Sequence, residues 1–210
     1  MPREALRKIQ TGLAGMGHDP GPADGLWGAR TRGAIMALLD ADGRAAVAPA
    51  MKVVNSPPGL FQGRARYPVT EAIVHCSATR PDWKASATFA AQVAEIRRWH
   101  VSDRGWRDIG YHWLISRAGD VMAGRAETEI GAHVVERNRG TIGICLIGGH
   151  GSSEHDRFDD HFTASQEAAL RNLLEDIARR ARIERVTGHN QYAAKACPGF
   201  NVPAWWGRAA

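Results

Sequence analysis

Apolar residues in this chain follow two different spacings, and the change from one to the other divides it. Near the start, Leu6, Ile9, Gln10 and Leu13 recur at helical intervals and Gly15 and Gly17 end the run, which predicts a short helix over residues 2–15. A cluster of turn formers from His18 to Gly28 follows. A second helix is then predicted from about Ala29 to Leu39, with Ile35, Leu38 and Leu39 as its apolar face. From Asp40 to about Pro68 no period is sustained, and the prolines there predict a semi-stiff linker.

Beyond it the pattern is that of strands alternating with helices. Glu71–Thr79, bounded by Pro68 and Pro81, predicts a strand with Ile73, His75 and Ser77 on one face and Val74 and Cys76 on the other. Phe89, Val93, Ile96 and Trp99 predict a helix over 88–100. Tyr111–Ser116, the turn Arg117-Ala118-Gly119-Asp120 and Val121–Ala123 predict a hairpin. Thr141–Ile147 is almost wholly apolar and is therefore expected at the centre of a sheet. Thr163-Ala164-Ser165-Gln166 is a capping box that opens a helix with Leu170, Leu173, Leu174 and Ile177 facing inward, and a short strand at 185–187 precedes His189. The expected fold class is α/β: a central mixed β-sheet flanked by helices, with a small helical domain before it. The expected organisation is a helical domain over 1–45, a linker over 46–67 and the main domain over 68–210.

Charge and cysteine content narrow the setting. A net charge of +5 favours an anionic partner: nucleic acid, anionic lipid or the carboxylate-bearing polymer of a cell wall. No basic stripe with interleaved aromatics appears, so nucleic acid is not expected. Cys76, Cys145 and Cys197 are odd in number and widely spaced, which argues against a disulfide framework. No apolar run approaches membrane-spanning length, so no stable membrane insertion is expected, and nothing demands more than a monomer. The charged first residues lack an apolar core. The expectation is cytoplasmic synthesis without a signal peptide, with any work outside the membrane needing another exit route.

The candidate chemistry lies in the tail, Thr187 to Phe200. His189 and Cys197 offer the imidazole and thiolate that zinc prefers, and Lys195, two residues before Cys197, leaves the same face if the stretch is extended. Alone, the segment also describes a surface loop with an incidental histidine and a buried cysteine. A catalytic zinc needs a third protein ligand and an open position. His75, on a buried-looking strand, is the best candidate, although by itself it reads as a hydrogen-bonded core histidine. His100 closes a helix, where an imidazolium would meet the dipole, and His112 is expected to be structural. His150, His155 and His161 sit in a polar loop beside Asp156, Asp159 and Asp160, and Cys76 and Cys145 read as core thiols.

Five ordered blocks carry a family resemblance: Val74-His75-Cys76-Ser77-Ala78-Thr79, Gly105-Trp106-Arg107-Asp108-Ile109-Gly110-Tyr111-His112, Gly131-Ala132-His133, Ile142 to Gly149, and Lys195-Ala196-Cys197-Pro198-Gly199-Phe200. Together they resemble the zinc-dependent N-acetylmuramoyl-L-alanine amidases of the phage-lysozyme type, relatives of the peptidoglycan recognition proteins. The resemblance implies zinc as cofactor, held by His75, His189 and Cys197, with Tyr111 and Lys195 as essential non-ligand residues and His133 near the substrate cleft. It implies hydrolysis of the amide between N-acetylmuramic acid and L-alanine of the stem peptide in peptidoglycan, by a phage or prophage endolysin released through a permeabilised membrane. Alternatives are a non-catalytic peptidoglycan-recognition protein and a cytoplasmic muropeptide-recycling amidase; the latter typically has aspartate where this chain has Cys197. The resemblance also permits polymerase binding as an added function, which no residue here specifies. Separately, Asp19 to Thr31 resembles the signature of a small helical peptidoglycan-binding module, and that role is expected of residues 1–45.

Overall fold

The computed structural model describes residues 3–41 and 59–207, and the chain divides into two units, Met1–Val54 and Asn55–Ala210. In the first, helices α1 (Arg3–Gly15) and α2 (Ala29–Ala41) flank the turn-rich connection. α1 buries Leu6, Gln10 and Leu13. Gln10 is polar yet buried because it closes the connection: its amide nitrogen reaches Asp24 Oδ1, the Leu26 carbonyl and Thr31 Oγ1, and its Oε1 accepts the Gly25 N–H at 2.9 Å. Gly25 has φ of +72°, and a Cβ there would meet the Arg3 carbonyl oxygen at 2.5 Å, so only glycine fits. On α2 the buried positions are Thr31 and Ala34, while Ile35 and Leu38 are half-buried; the Leu39 side chain falls outside the described residues. The connection leaves Leu26 and Trp27 facing solvent, at 51% and 59% exposure.

The second unit opens with a short antiparallel hairpin, β1 (Phe61–Gln62) and β2 (Tyr67–Pro68). Of the span 46–67 expected as linker, residues 46–58 lie outside the described residues, and 61–67 belong to the folded unit. Gln62 explains why. Fully buried, it accepts the Gly140 N–H and donates to the Thr141 carbonyl, tying the hairpin to the sheet. The sheet contains β3 (Glu71–Cys76), β4 (Trp113–Ile115), β5 (Val121–Ala123), β6 (Thr141–Leu146) and β7 (Arg185–Gly188) in the order β5-β4-β6-β3-β7. β4, β6, β3 and β7 run parallel and only β5 is antiparallel, at one edge. β6 is buried along its whole length, as its almost wholly apolar run predicts, and so is β3, including the polar Glu71 and His75.

Helices cover both faces. On one, Leu170, Leu174 and Ile177 of α5 (Ala164–Arg180) pack over Val74, Cys76, Ile144 and Leu146, joined by Phe200 and by Val202 and Trp205 of α6 (Val202–Trp206). Each such fully buried side chain contributes roughly 1.5–3 kcal/mol. The capping box forms as expected: Thr163 Oγ1 accepts the Gln166 N–H and Gln166 Oε1 accepts the Thr163 N–H. A short helix, α4 (Phe158–His161), precedes it. On the other face Val93 and Ile96 of α3 (Phe89–Arg98) meet Ile109, Leu114, Cys145 and Ile147. α3 runs on as a π-helical turn over Trp99–Asp103, so the helix expected to stop at His100 carries that residue past its end and into the interior. His75 and Gly143 project to this α3 side, because they alternate with Val74 and Ile144.

Candidate metal centre

The carboxyl ends of β3, β6 and β7 point the same way, the edge where open parallel sheets place ligands. His75 is the penultimate residue of β3, and His189 follows directly on β7. The chain then folds back. The Asn190 N–H donates to the Cys197 carbonyl at 2.7 Å, and Asn190 Nδ2 donates to the Phe200 carbonyl at 3.2 Å. Farther down the same strands, Glu71 anchors the returning segment: its carboxylate accepts from Tyr192 OH, from Thr187 Oγ1 at 2.6 Å and from Arg185 at 3.1 Å.

These constraints bring His75, His189 and Cys197 together, with one ligand atom from each lying within 4.8 Å of the others. Among the described residues this is the one group of three or more His, Cys, Asp or Glu side chains so placed. His75 Nδ1 is 3.9 Å from Cys197 Sγ. Tetrahedral zinc would hold such N and S atoms about 3.5 Å apart, so a small adjustment closes the site, and the two-imidazole, one-sulfur donor set suits zinc. Burial, reinforced by neighbouring His133, His189 and Lys195, holds His75 well below the usual imidazole range. Burial and Lys195 also lower His189. Both rings therefore keep lone pairs for a cation at neutral pH. The contacting Cys76 thiol and burial push the Cys197 thiol up, so a thiolate there needs a cation beside it. The Cys76 backbone N–H donates to Cys197 Sγ at 3.2 Å and would stabilise that thiolate. Reading Cys76 as only a core thiol missed this, because the two cysteines are 121 residues apart.

Tyr111 and Lys195 border these three side chains. The Tyr111 ring centroid lies 5.2 Å from that of His75, and burial pushes its phenol well above the ordinary range, so it stays protonated. Lys195 is exposed, yet its charge is close enough to depress both imidazoles. Past Tyr111 opens a cavity of about 320 Å³, lined among others by Ser77, Trp99, His100 and Arg104. His100 is held at about 4 by burial and by the Arg104 charge, so it is neutral and not the dipole-stabilised imidazolium expected at a helix end. Its Nδ1 accepts the Gly110 N–H at 3.0 Å, which puts its proton on Nε2. A larger cavity of about 670 Å³, lined by Arg157, Arg171 and Trp205 among others, contains none of these groups.

The remaining histidines separate clearly. His133, expected beside the substrate, is buried at 7% exposure with both ring nitrogens facing protein atoms: Nδ1 is 3.1 Å from His75 Nε2 and Nε2 is 3.3 Å from Thr141 Oγ1. It packs directly behind His75. His112 is structural, accepting the Gly143 N–H on Nδ1 at 2.9 Å. His161 pairs with Asp156 at 2.7 Å, while His150 and His155 are exposed.

Comparison with known proteins places this arrangement in context. The family profile described as N-acetylmuramoyl-L-alanine amidase matches residues 65–200. The endolysin of Enterobacteria phage T3 is 42% identical over 138 residues, covering 65% of this chain and 85% of the relative. Among solved structures, bumblebee PGRP-SA aligns with a TM-score of 0.56 at 25% identity, covering 74% of this chain and 89% of its own. PGRP-LE, solved in complex with tracheal cytotoxin, a monomeric diaminopimelic acid-type peptidoglycan, aligns with a TM-score of 0.54 at 27% identity over 71% of this chain and 82% of its own.

Proposed function

This chain belongs to the N-acetylmuramoyl-L-alanine amidase family, and from that premise we propose that it is a zinc-dependent, endolysin-type enzyme that opens the bond between N-acetylmuramic acid and L-alanine in peptidoglycan. The observation that carries the zinc reading is the convergence of His75, His189 and Cys197 within 4.8 Å, beside Tyr111 and Lys195. When bound, zinc supplies Lewis acidity toward the scissile carbonyl and lowers the pKa of water toward neutrality.

The protein's own groups do the rest. Lys195 places an ammonium where negative charge grows on the carbonyl oxygen as the amide is attacked, and such stabilisation counts only as that charge develops. Tyr111, kept protonated by burial, donates a hydrogen bond to the same oxygen or to the attacking water. The cavity beyond Tyr111 receives the substrate, with the His100 Nε2–H and the Arg104 guanidinium as donors for its polar and anionic groups. Support for peptidoglycan as partner comes from the muropeptide complex of PGRP-LE. Among the described residues no helix is long and apolar enough to cross a membrane.

Purified sacculi test this reading. Digestion should expose new L-alanine amino termini and intact muramic acid, identified by mass spectrometry, and a chelator should stop it. New reducing sugar ends, or chelator-resistant cleavage, would contradict the assignment.

Residues 1–45 are assigned to wall binding, through the exposed Leu26 and Trp27 of the helical hairpin. Tethering such a module raises the local concentration of substrate at the second unit. Its removal should slow attack on whole sacculi by about 10-fold or more. Cleavage of small soluble muropeptides should change little. Equal losses on both substrates would exclude a targeting role.

A further inference from the structure

We propose that His133 is the positioning residue that decides which nitrogen His75 turns toward the metal, and that Thr141 sets His133 in the form that does so. The inference rests on His75 being a zinc ligand, as assigned above, and it follows from counting protons along a buried chain of polar atoms.

Thr141 Oγ1 is 2.7 Å from the Arg137 carbonyl and 3.2 Å from the Asn138 carbonyl, both of which can only accept, so the hydroxyl proton is committed to them. Oγ1 then receives a proton from His133 Nε2 at 3.3 Å. With that proton on Nε2, neutral His133 carries a lone pair on Nδ1, and this nitrogen faces His75 Nε2 at 3.1 Å. His75 Nε2 must be the donor there, which leaves His75 Nδ1 as the bare nitrogen, on the side of Cys197 Sγ. The opposite polarity would place a proton on the nitrogen that has to bind the metal. Solvent offers no substitute partner, because His75 is 1% exposed.

The surroundings hold the His133 ring in register. A Cβ on Gly143 would come within 2.6 Å of its Cγ and Cδ2, and a Cβ on Gly131 within 2.6 Å of its Cδ2, so two glycines make the slot the ring occupies. Asn138 Oδ1 accepts the backbone N–H groups of His133 and Val134 at 2.7 and 2.9 Å, which fixes the loop that carries it. The sequence signal was present in Gly131-Ala132-His133 and Gly143, but its meaning depends on a pairing 58 residues apart.

The test measures zinc affinity by competition with a chelator in the full chain, for wild type, His133→Ala, His133→Asn, Thr141→Val and His75→Ala, with thermal unfolding in chelator to check the fold. Losing a partner that orients a metal-bound histidine typically weakens metal binding by about 10–100-fold, and that is the loss expected for His133→Ala. His133→Asn, whose Oδ1 sits near the Nδ1 position and accepts a hydrogen bond, should recover most of it, and Thr141→Val should fall between. Long-range ¹H–¹⁵N spectra of the metal-free wild type should show the proton on Nε2 in both His75 and His133, a readout that does not depend on any variant folding. A proton on Nδ1 of His133, or wild-type zinc affinity in folded His133→Ala, overturns the proposal. If His75→Ala also binds zinc normally, the ligand assignment itself has failed; if only His75→Ala loses zinc, the ligand stands and the relay is wrong.

Discussion

Cys197→Ala is expected to lose zinc and amidase activity together. The variant keeps two imidazoles from His75 and His189 but no anionic ligand, and the Cys76 N–H is left without its sulfur acceptor. Losing a direct ligand should exceed the roughly 10–100-fold penalty typical of a supporting partner, so zinc should no longer survive dialysis at micromolar protein. The fold should persist, since Cys197 is only half-buried and the sheet core is built from Val74, Ile144, Leu146 and the α5 leucines. Metal analysis, turnover on a soluble muropeptide and thermal unfolding in chelator separate these effects. Full activity in protein shown to contain no metal would end the zinc reading.

Lys195→Met should behave differently. Metal content should be unchanged, or slightly higher, because burial alone keeps both imidazoles neutral and a positive charge that would repel the ion is gone. Turnover should fall by about 10²–10³-fold, the usual cost of losing one group that meets an oxyanion. KM should move little, because charge on the carbonyl oxygen appears only on the way to the transition state. Lys195→Arg would restore the charge but not the compact ammonium, so partial recovery is expected. An unchanged kcat with raised KM would make Lys195 a binding residue; parallel loss of zinc would make it a support of the metal site. Together the two variants separate holding the ion from using it.

How much of this was readable beforehand differs between elements. The apolar runs of β3 and β6, the helical stripe of α5 and its Thr163–Gln166 cap are local patterns, and each formed where the residues predicted it. The hairpin at 61–68 was not readable, because its strands are two residues long and its stabilising contact is the distant pairing of Gln62 with Gly140 and Thr141. His100 was misread for a related reason: helical periodicity does not show that a π turn will carry the residue inward against Trp106 and Tyr111.

By itself, then, the order of residues determined the alternation of strands and helices and the donor types available to a metal, since period, capping and side-chain chemistry are properties of short stretches. Tertiary structure decided which donors meet. β3 pairs in register with both β6 and β7, so His75 lies across from Cys145 and one residue past the Val74–Gly188 pair. A slip of one residue would turn His75 toward the α5 side, away from His133, Tyr111 and Cys197. That register, set by packing across the whole sheet, brings His75 to His189 and Cys197 through one ring nitrogen and to His133 through the other.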